Sequence, residues 1–308
     1  MKRFVIGQHG GFDWHKYERD FKPAFFGIEA CLFADEDGIR TLVQEARTKN
    51  FDIGIHYPLR PRQGLLRDAL FMDLDEQTRQ HAYAEITGEL EYLRSVKPSY
   101  VLFHYPKPVI LDDRVCWERW RFSDPRDYVY ESQYPIEAFI ERSEELFSWL
   151  SRKSEEYSFT PVLELDACNR YVYDTLIVED LLKKYPRIRL CLDTGRLYVQ
   201  ECIDPYFDAR KVLKKYAKYA ESIHLWTMQR KGEELKHNHH PALPECLPED
   251  GWAPIESYLQ IIRSENPDVK IVFEHRSEQL RDEELERCYR WVEQILYDQE
   301  KSETNFTP

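Results

Sequence analysis

Short apolar runs alternate with longer amphipathic stretches along the whole chain. The β-rich runs predict eight strands, at 3–8, 25–31, 51–56, 99–104, 160–165, 188–193, 220–225 and 269–274. Apolar residues at helical spacing between them predict helices at 36–49, 73–96, 134–157, 175–185, 207–218, 253–264 and 278–298. Eight strands that are each followed by a helix predict a single-domain (β/α)8 TIM barrel rather than a doubly wound sheet. The first connection, 9–24, has the weakest helical pattern.

The connections differ in length on the two ends of the predicted strands. Joins from a helix to the next strand are short, whereas the strand-to-helix joins at 57–72, 105–133 and 226–252 are long. In a barrel the long joins meet at the carboxyl ends of the strands, where the active sites of such barrels lie. We assign residues 1–298 to the barrel domain and residues 299–308 to a polar C-terminal tail.

Six strands in succession end in histidine or a carboxylate. In chain order these residues are His56, His104, Glu164, Asp193, His224 and Glu274. A single polar residue at a strand end is usually a cap, and Asp193 in IRLCLDTGR (188–196) fits that explanation when it is considered alone. Six such residues, with no lysine or serine among them, are not independent caps. Because the strand ends of a barrel converge on its axis, we expect one cluster of side chains.

A cluster of buried acids needs a cation, because carboxylates at close range repel one another and lose their hydration. Histidine and carboxylate ligands without thiolate suit Zn, Mn, Co or Fe, and suit Mg less well. The pattern therefore predicts a divalent metal centre in which Asp193 is a ligand.

Four segments resemble the xylose-isomerase-like TIM barrels, a superfamily that includes sugar epimerases, sugar-phosphate isomerases and endonuclease IV (AP endonuclease family 2). The segments are LELD (163–166), CLDTGR (191–196), IHLW (223–226) and FEHR (273–276). The resemblance spans the chain. It implies that the four acidic or histidine strand ends in these segments bind one divalent metal: Glu164, Asp193, His224 and Glu274.

Two histidines resemble those of endonuclease IV alone. His56 in GIHYP and His104 in LFHYP occupy positions where that enzyme holds another metal together with the shared glutamate, here Glu164. The resemblance thus implies a second metal site. Ketose epimerases of the superfamily lack these histidines, so the chain combines features of both groups.

Other positions differ from the metal ligands of endonuclease IV or match residues that contact substrate in related enzymes. Endonuclease IV continues its aspartate motif with a histidine at the position of Arg196, and a guanidinium cannot bind a metal. Its later Asp-x-His pair is represented at best by His237 and His239, which argues against a three-metal site. Arg230 matches an arginine that contacts substrate oxygens in ketose epimerases. We assign Arg230, Arg196, His239 and, from the loop described below, Trp117 to substrate binding.

These features favour a metal-dependent isomerase or epimerase that acts on a sugar, a sugar phosphate or a related polyol. Glu164 and Glu274 would act both as ligands and as the acid/base pair that moves a proton next to a metal-chelated carbonyl. The rival hypothesis is an endonuclease-IV-like phosphodiester hydrolase, which His56 and His104 favour and Arg196 opposes. A barrel that only binds a ligand is a third hypothesis, which the complete ligand set opposes.

Composition narrows the choice of partners. The net charge of −13 argues against a general affinity for nucleic acid, and therefore against the hydrolase. Seven cysteines without a CxxC pair predict reduced thiols. We see neither a signal segment nor an apolar run of membrane-spanning length, so we expect a cytoplasmic protein without a membrane partner. A homo-oligomer is left open.

The join 105–133 exceeds the usual length of two to six residues and contains Trp117 and Trp120. It predicts a lid or pocket wall with aromatic surface for a sugar face, and an oligomer interface is the alternative. The run KHNHHP (236–241) is either a solvated loop or brings His239 or His240 over the site.

The sequence also contains charged and polar residues outside the six strand ends. Strand alternation predicts that His275 points away from the barrel axis. Arg67, with the nearby Arg60 and Arg62, has the pattern of a solvated charge cluster, and phosphate binding is the alternative. Glu29, within a predicted strand, is either a partner of a metal ligand or a buried, satisfied acid.

Overall fold

Eight parallel strands close into a barrel in the computed structural model of the protein, which describes residues 1–61, 66–120, 122 and 124–297. The barrel strands are β1 Phe4–His9, β2 Gly27–Cys31, β3 Asp52–His56, β4 Tyr100–Tyr105, β5 Thr160–Leu165, β6 Arg189–Asp193, β7 Ala220–Leu225 and β8 Lys270–Phe273. Each strand pairs with its neighbours in sequence, and β1 closes the barrel against β8. The predicted (β/α)8 barrel is confirmed, and every predicted strand ends within two residues of the observed one.

The described residues contain ten α-helices. They are α1 Trp14–Asp20, α2 Glu36–Lys49, α3 Glu76–Leu93, α4 Ile136–Tyr157, α5 Arg170–Tyr173, α6 Ile177–Lys184, α7 Thr194–Ile203, α8 Ala209–Tyr216, α9 Ile255–Glu265 and α10 Asp282–Tyr297. Asp35, Asp75 and Asp208 cap α2, α3 and α8 by accepting hydrogen bonds from first-turn backbone amides. Helices α1, α5 and α7 were not predicted, because they are short or begin directly after a strand.

Side chains fill the barrel beneath the strand ends. Tyr100, Leu102, Val162 and Cys191 form this interior layer and are fully buried. Gly54 makes room for it, since a Cβ at this position would lie 2.1 Å from the Tyr100 ring. In the part of the chain that the structure describes, the barrel interior is therefore filled beneath the strand ends.

Two of the long joins form small sheets over the carboxyl end. In the β4–α4 join, Val109–Leu111 pairs with Tyr128–Tyr130 in parallel. In the β7–α9 join, Thr227–Lys231 and Glu234–His240 form an antiparallel hairpin, which we call the mouth hairpin. The KHNHHP run thus lies largely in a strand rather than in a loop, while Lys236, His237 and Asn238 are exposed to solvent.

None of the described helices combines the length and apolarity that a membrane crossing requires. The predicted tail 299–308 and Arg62 lie outside the described residues.

Candidate metal centre

The six predicted strand-end residues lie together at the carboxyl end of the barrel. His104 pairs in register with Glu164 across β4 and β5, and Asp193 pairs with His224 across β6 and β7. Five of the six side chains are buried. Glu274, directly after β8, is half-buried, with 32% of its side chain exposed. The cluster therefore has a closed part and one carboxylate that faces outward.

His56 and His104 form one side of the cluster, which we call the histidine side. Their Nε2 atoms are 3.1 Å apart, and Glu164 Oε2 lies 3.0 Å from His104 Nε2 and 3.6 Å from His56 Nε2. Burial opposes protonation of both rings. The carboxylates of Asp68 and Glu164 nevertheless raise the pKa of His104, whereas burial and the charge of Arg67 lower the pKa of His56.

Asp193, His224 and Glu274 form the other side, which we call the acid side. Nδ1 of His224 lies 3.2 Å from Glu274 Oε2 and 3.6 Å from Glu164 Oε1. Burial raises the pKa of Asp193 to about 6, and the charges of Glu274 and Glu164 add to that shift. The acids on this side thus repel one another.

Asp193 is both a helix cap and a member of the cluster. Its Oδ1 accepts a hydrogen bond from the backbone amide of Arg196 in the first turn of α7, at 2.8 Å. Its Oδ2 accepts one from Nε1 of Trp226, at 2.9 Å. Gly195 permits this contact, because a Cβ there would lie 2.2 Å from the Trp226 ring. The two interpretations of this residue are therefore compatible.

Glu29 of β2 lies at the centre of the cluster and was not among the predicted ligands. Its Oε1 is 3.0 Å from His224 Nε2 and 3.6 Å from His56 Nδ1, and its Oε2 accepts a hydrogen bond from the Tyr100 hydroxyl at 2.8 Å. Although burial opposes ionisation, His224 and His56 lower the pKa of Glu29 to about 2. The sequence signal that could have identified Glu29 was an acidic residue within an otherwise apolar strand.

Cationic side chains of the protein itself also enter the cluster, and of these the sequence analysis foresaw Arg196 but not Arg67 or Lys107. Arg67 is half-buried with a terminal nitrogen 3.0 Å from His56 Nε2, so its assignment to a solvated cluster is wrong. The six carboxylates of the region belong to Glu29, Asp68, Glu164, Asp166, Asp193 and Glu274, and the three cations to Arg67, Lys107 and Arg196. The protein thus neutralises part of the charge, and three negative charges remain in excess when the histidines are neutral.

The residues at the centre fit a divalent cation. Nδ1 and Nε2 of His224 and Oε2 of Glu164 are buried. Charged partners lie 3.0–3.6 Å away, but none of these three atoms forms a well-aligned hydrogen bond with a residue that the structure describes. Three overlapping sets of side chains each offer ligand atoms within 4.8 Å of one another: Glu29–His56–His224, His56–His104–Glu164 and Glu164–Asp193–His224. Imidazole nitrogen and carboxylate oxygen are the donor types of Zn, Mn, Co and Fe sites.

A cavity of about 570 Å³ lies over the acid side. Its lining includes Arg196, Trp226 and His239, and each of these contacts the cluster. Arg196 Nε is 3.4 Å from Glu164 Oε1, and Nδ1 of His239 is 2.8 Å from the carbonyl oxygen of Glu274. The His239 ring stacks on Trp226 with 4.2 Å between centroids. Two predicted substrate residues, Arg196 and His239, therefore line the space above the cluster.

The other two predicted substrate residues do not line this cavity. Trp117 is buried in the β4–α4 join, where its Nε1 donates to the Asp112 carbonyl and its ring packs on Trp120, which does line the cavity. Arg230 is exposed, and its Nε donates to the Gly232 carbonyl. An extended strand advances about 3.3 Å per residue, so the mouth hairpin carries Arg230 away from the barrel. The structure therefore does not bring Trp117 or Arg230 to this cavity, and their assignment to substrate binding stays a prediction.

Comparison with known proteins identifies the fold. No protein-family model and no curated protein matches the chain. A D-tagatose 3-epimerase-like protein matches at 14% identity with a TM-score of 0.60, covering 94% of this chain and 96% of its own. IolI with a bound zinc atom matches at 13% identity and a TM-score of 0.60, covering 94% and 97%.

An AP endonuclease of family 2 from Brucella melitensis matches at 13% identity and a TM-score of 0.53, covering 92% of this chain and 97% of its own. Identities this low establish the fold and nothing finer. The chain therefore shares the TIM-barrel fold of these solved structures, which also include a xylose isomerase domain containing protein from Salmonella typhimurium.

Proposed function

We propose that the protein is a divalent-metal-dependent isomerase or epimerase that moves a proton next to the carbonyl of a sugar, a sugar phosphate or a related polyol. One observation carries the proposal. Two carboxylates, Glu164 and Glu274, approach the same nitrogen of His224, at 3.6 and 3.2 Å, beside a cavity of about 570 Å³. That volume is within the range of small-molecule sites.

Glu164, Asp193, His224 and Glu274 would hold the metal. When bound, a divalent ion polarises the carbonyl of a chelated hydroxy-carbonyl unit and acidifies the neighbouring C–H. Glu274 is the more accessible carboxylate, so it would exchange a proton with a substrate carbon from the cavity side. Glu164, buried and three strands away in the barrel, would serve the opposite face.

The surroundings of the cavity support a small substrate. Trp120 from the β4–α4 join and Met228 and Lys236 from the mouth hairpin complete its walls, which would limit access of water to the reacting atoms. Arg196 combines a charge with a position between cluster and cavity, so it would bind substrate oxygens. The similar solved structures include a D-tagatose 3-epimerase-like protein and D-psicose 3-epimerases, which supports a sugar substrate.

A metal-dependent phosphodiester hydrolase is the second candidate. The convergence of His56, His104 and Glu164 favours it, because these residues could hold an additional ion beside the first. Arg67 next to His56 and the net charge of −13 oppose it.

Solvent isotope exchange tests the proposal. The protein loaded with Mn or Zn would be incubated in D2O with a panel of ketoses and ketose phosphates, and NMR would detect deuterium next to the carbonyl. Glu274→Gln should abolish uptake, while Glu278→Gln, an exposed neighbour in the same segment, should leave it intact.

Two results would count against the isomerase. The first is a metal-loaded protein that shows no deuterium uptake with any member of the panel. The second is two tightly bound ions per chain together with cleavage of bis-(p-nitrophenyl) phosphate, which would favour the hydrolase.

A further inference from the structure

A closed ring of charged side chains shares two residues, Glu164 and His104, with the candidate centre. We call it the charge ring, and its six members, in order around the ring, are Glu164, His104, Asp68, Lys107, Asp166 and Arg196. Acidic and basic groups alternate, and each neighbouring pair lies within 3.4 Å. All members are buried except Arg196, which also lines the cavity.

The ring reaches both oxygens of Glu164 by two separate routes. On one route, Asp68 Oδ2 lies 2.9 Å from His104 Nδ1, and His104 Nε2 lies 3.0 Å from Glu164 Oε2. Because one carboxylate holds Nδ1, the other ring nitrogen is left to face the cluster. The orientation of His104 therefore depends on Asp68.

The second route runs through the guanidinium. Asp166 Oδ1 accepts a hydrogen bond from a terminal nitrogen of Arg196 at 2.9 Å, and Arg196 Nε lies 3.4 Å from Glu164 Oε1. Without Asp166, the long side chain of Arg196 could turn toward the cavity. The orientation of Arg196 therefore depends on Asp166.

Lys107 joins the two routes. Its Nζ lies 3.1 Å from Asp68 Oδ2 and 3.2 Å from Asp166 Oδ2, and its side chain is only 5% exposed. Its backbone carbonyl accepts a hydrogen bond from the Met72 amide, which fixes the loop on which it lies. Without the ammonium group, two buried carboxylates would face each other and separate, and each would move the cation that it holds.

We propose that Lys107 is a positioning residue that keeps His104 and Arg196 on the two oxygens of Glu164. The inference rests on the proposed function, because it assumes that Glu164 is a metal ligand. Partners behind a ligand orient it and tune its affinity for the ion, and their loss typically costs about 10–100-fold in metal binding. A buried ion pair contributes little to stability when compared with apolar packing, so stability alone does not account for this arrangement.

Cobalt binding separates a positioning role from a structural one. The test measures the Co2+ affinity, the visible absorption spectrum and the melting temperature of wild type, Lys107→Met and Lys107→Arg. Lys107→Met should lower the affinity about 10–100-fold and change the spectrum, because the ligand set around Glu164 relaxes. Lys107→Arg keeps the charge and should recover part of the affinity.

Lys215→Met is the matched control. Lys215 is a half-buried lysine whose Nζ donates to the carbonyls of Val172, Tyr173 and Thr175, remote from the charge ring. Its loss should lower the melting temperature and leave the cobalt spectrum unchanged.

The outcomes are distinguishable. If Lys107→Met lowers only the melting temperature and binds cobalt like wild type, the positioning role is wrong and the proposed function stands. If wild type binds no cobalt, the metal centre of the proposed function fails and the inference fails with it. If Lys107→Met does not fold, Asp68→Asn replaces it, because this substitution keeps the side-chain size. Asp68→Asn should change the cobalt spectrum, and an unchanged spectrum would overturn the inference.

Discussion

The histidine side and the acid side share Glu164 but differ in their surroundings. On the histidine side, His56 and His104 are closed in, and cations of the protein stand next to them: Arg67 beside His56, and Lys107 behind Asp68. On the acid side, 32% of the Glu274 side chain is exposed, and Arg196 and His239, which contact this cluster, line the cavity. On this side, His224 has two buried nitrogens without a well-aligned hydrogen bond to any described residue.

This difference indicates on which side a divalent ion would bind more tightly. On the acid side an ion would relieve repulsion between carboxylates and satisfy the nitrogens of His224. On the histidine side it would meet the guanidinium of Arg67, which repels it. We therefore expect one tight site on the acid side and weaker binding on the histidine side, and the following experiments test that order.

The largest effect should come from His224→Ala. This ring contacts Glu29, Glu164 and Glu274, so its removal takes away a ligand and leaves several acids without a partner. We expect the affinity for Zn or Mn to fall by more than about 100-fold, since losing a residue behind a ligand already costs about 10–100-fold. Isothermal titration calorimetry measures this affinity. An equal loss in His56→Ala would contradict the proposed order.

Asp193→Asn tests the repulsion on the acid side without a metal. The pKa of Asp193 is raised from 3.8 to about 6 in the folded state, so the charged group destabilises the metal-free fold above pH 6. That penalty declines as the pH falls through 6 and disappears below 3.8. The shift corresponds to at most about 3 kcal/mol.

Urea unfolding with EDTA measures this effect. At pH 7 metal-free Asp193→Asn should be more stable than metal-free wild type, and the difference should shrink toward pH 4.5. Asparagine also caps helices, so the start of α7 is preserved. With Zn or Mn added the order should reverse, because wild type alone keeps the full ligand set and gains stability from binding. A stability difference that does not change with pH would argue against repulsion at this carboxylate.

His56→Ala should have a smaller effect on metal content. We expect the tightest ion to remain and only ions in excess of one per chain to be lost, because His56 lies on the histidine side. Elemental analysis after gel filtration measures the count. Arg67→Gln sharpens the comparison, since removing the guanidinium should raise occupancy of the histidine side. Loss of the first ion in His56→Ala would show that the two sides form one site.

The smallest effect on metal content is expected for His275→Ala. This ring follows Glu274 directly but is buried against Phe273, at 5.4 Å between centroids, and burial lowers its pKa well below the usual value. We expect an unchanged metal content and a lower melting temperature, because the substitution leaves a cavity. His81→Ala, an exposed histidine on α3, is the control for both readouts. Loss of metal in His275→Ala would mean that Glu274 depends on its neighbour.

The sequence determined the barrel and the cluster of candidate ligands at the strand ends. Both follow from local rules: apolar runs predict strands, and parallel strands of a barrel bring their carboxyl ends together. His104 and Glu164, or Asp193 and His224, are far apart in the chain, yet each pair is aligned in register as that rule requires. Arg196 and His239 were also brought to the cavity that the long joins predicted.

Only the tertiary structure decided how the charges around these ligands are balanced. Glu29 lies within a strand, and Asp68 and Lys107 lie in different loops, so no spacing rule connects them with His104. Trp117 and Arg230 do not line the cavity, because loop packing and the mouth hairpin, rather than position in the chain, determine where those side chains lie. The physical reason is that periodicity specifies which face of a strand a side chain occupies, whereas charge pairing depends on distances across the folded barrel.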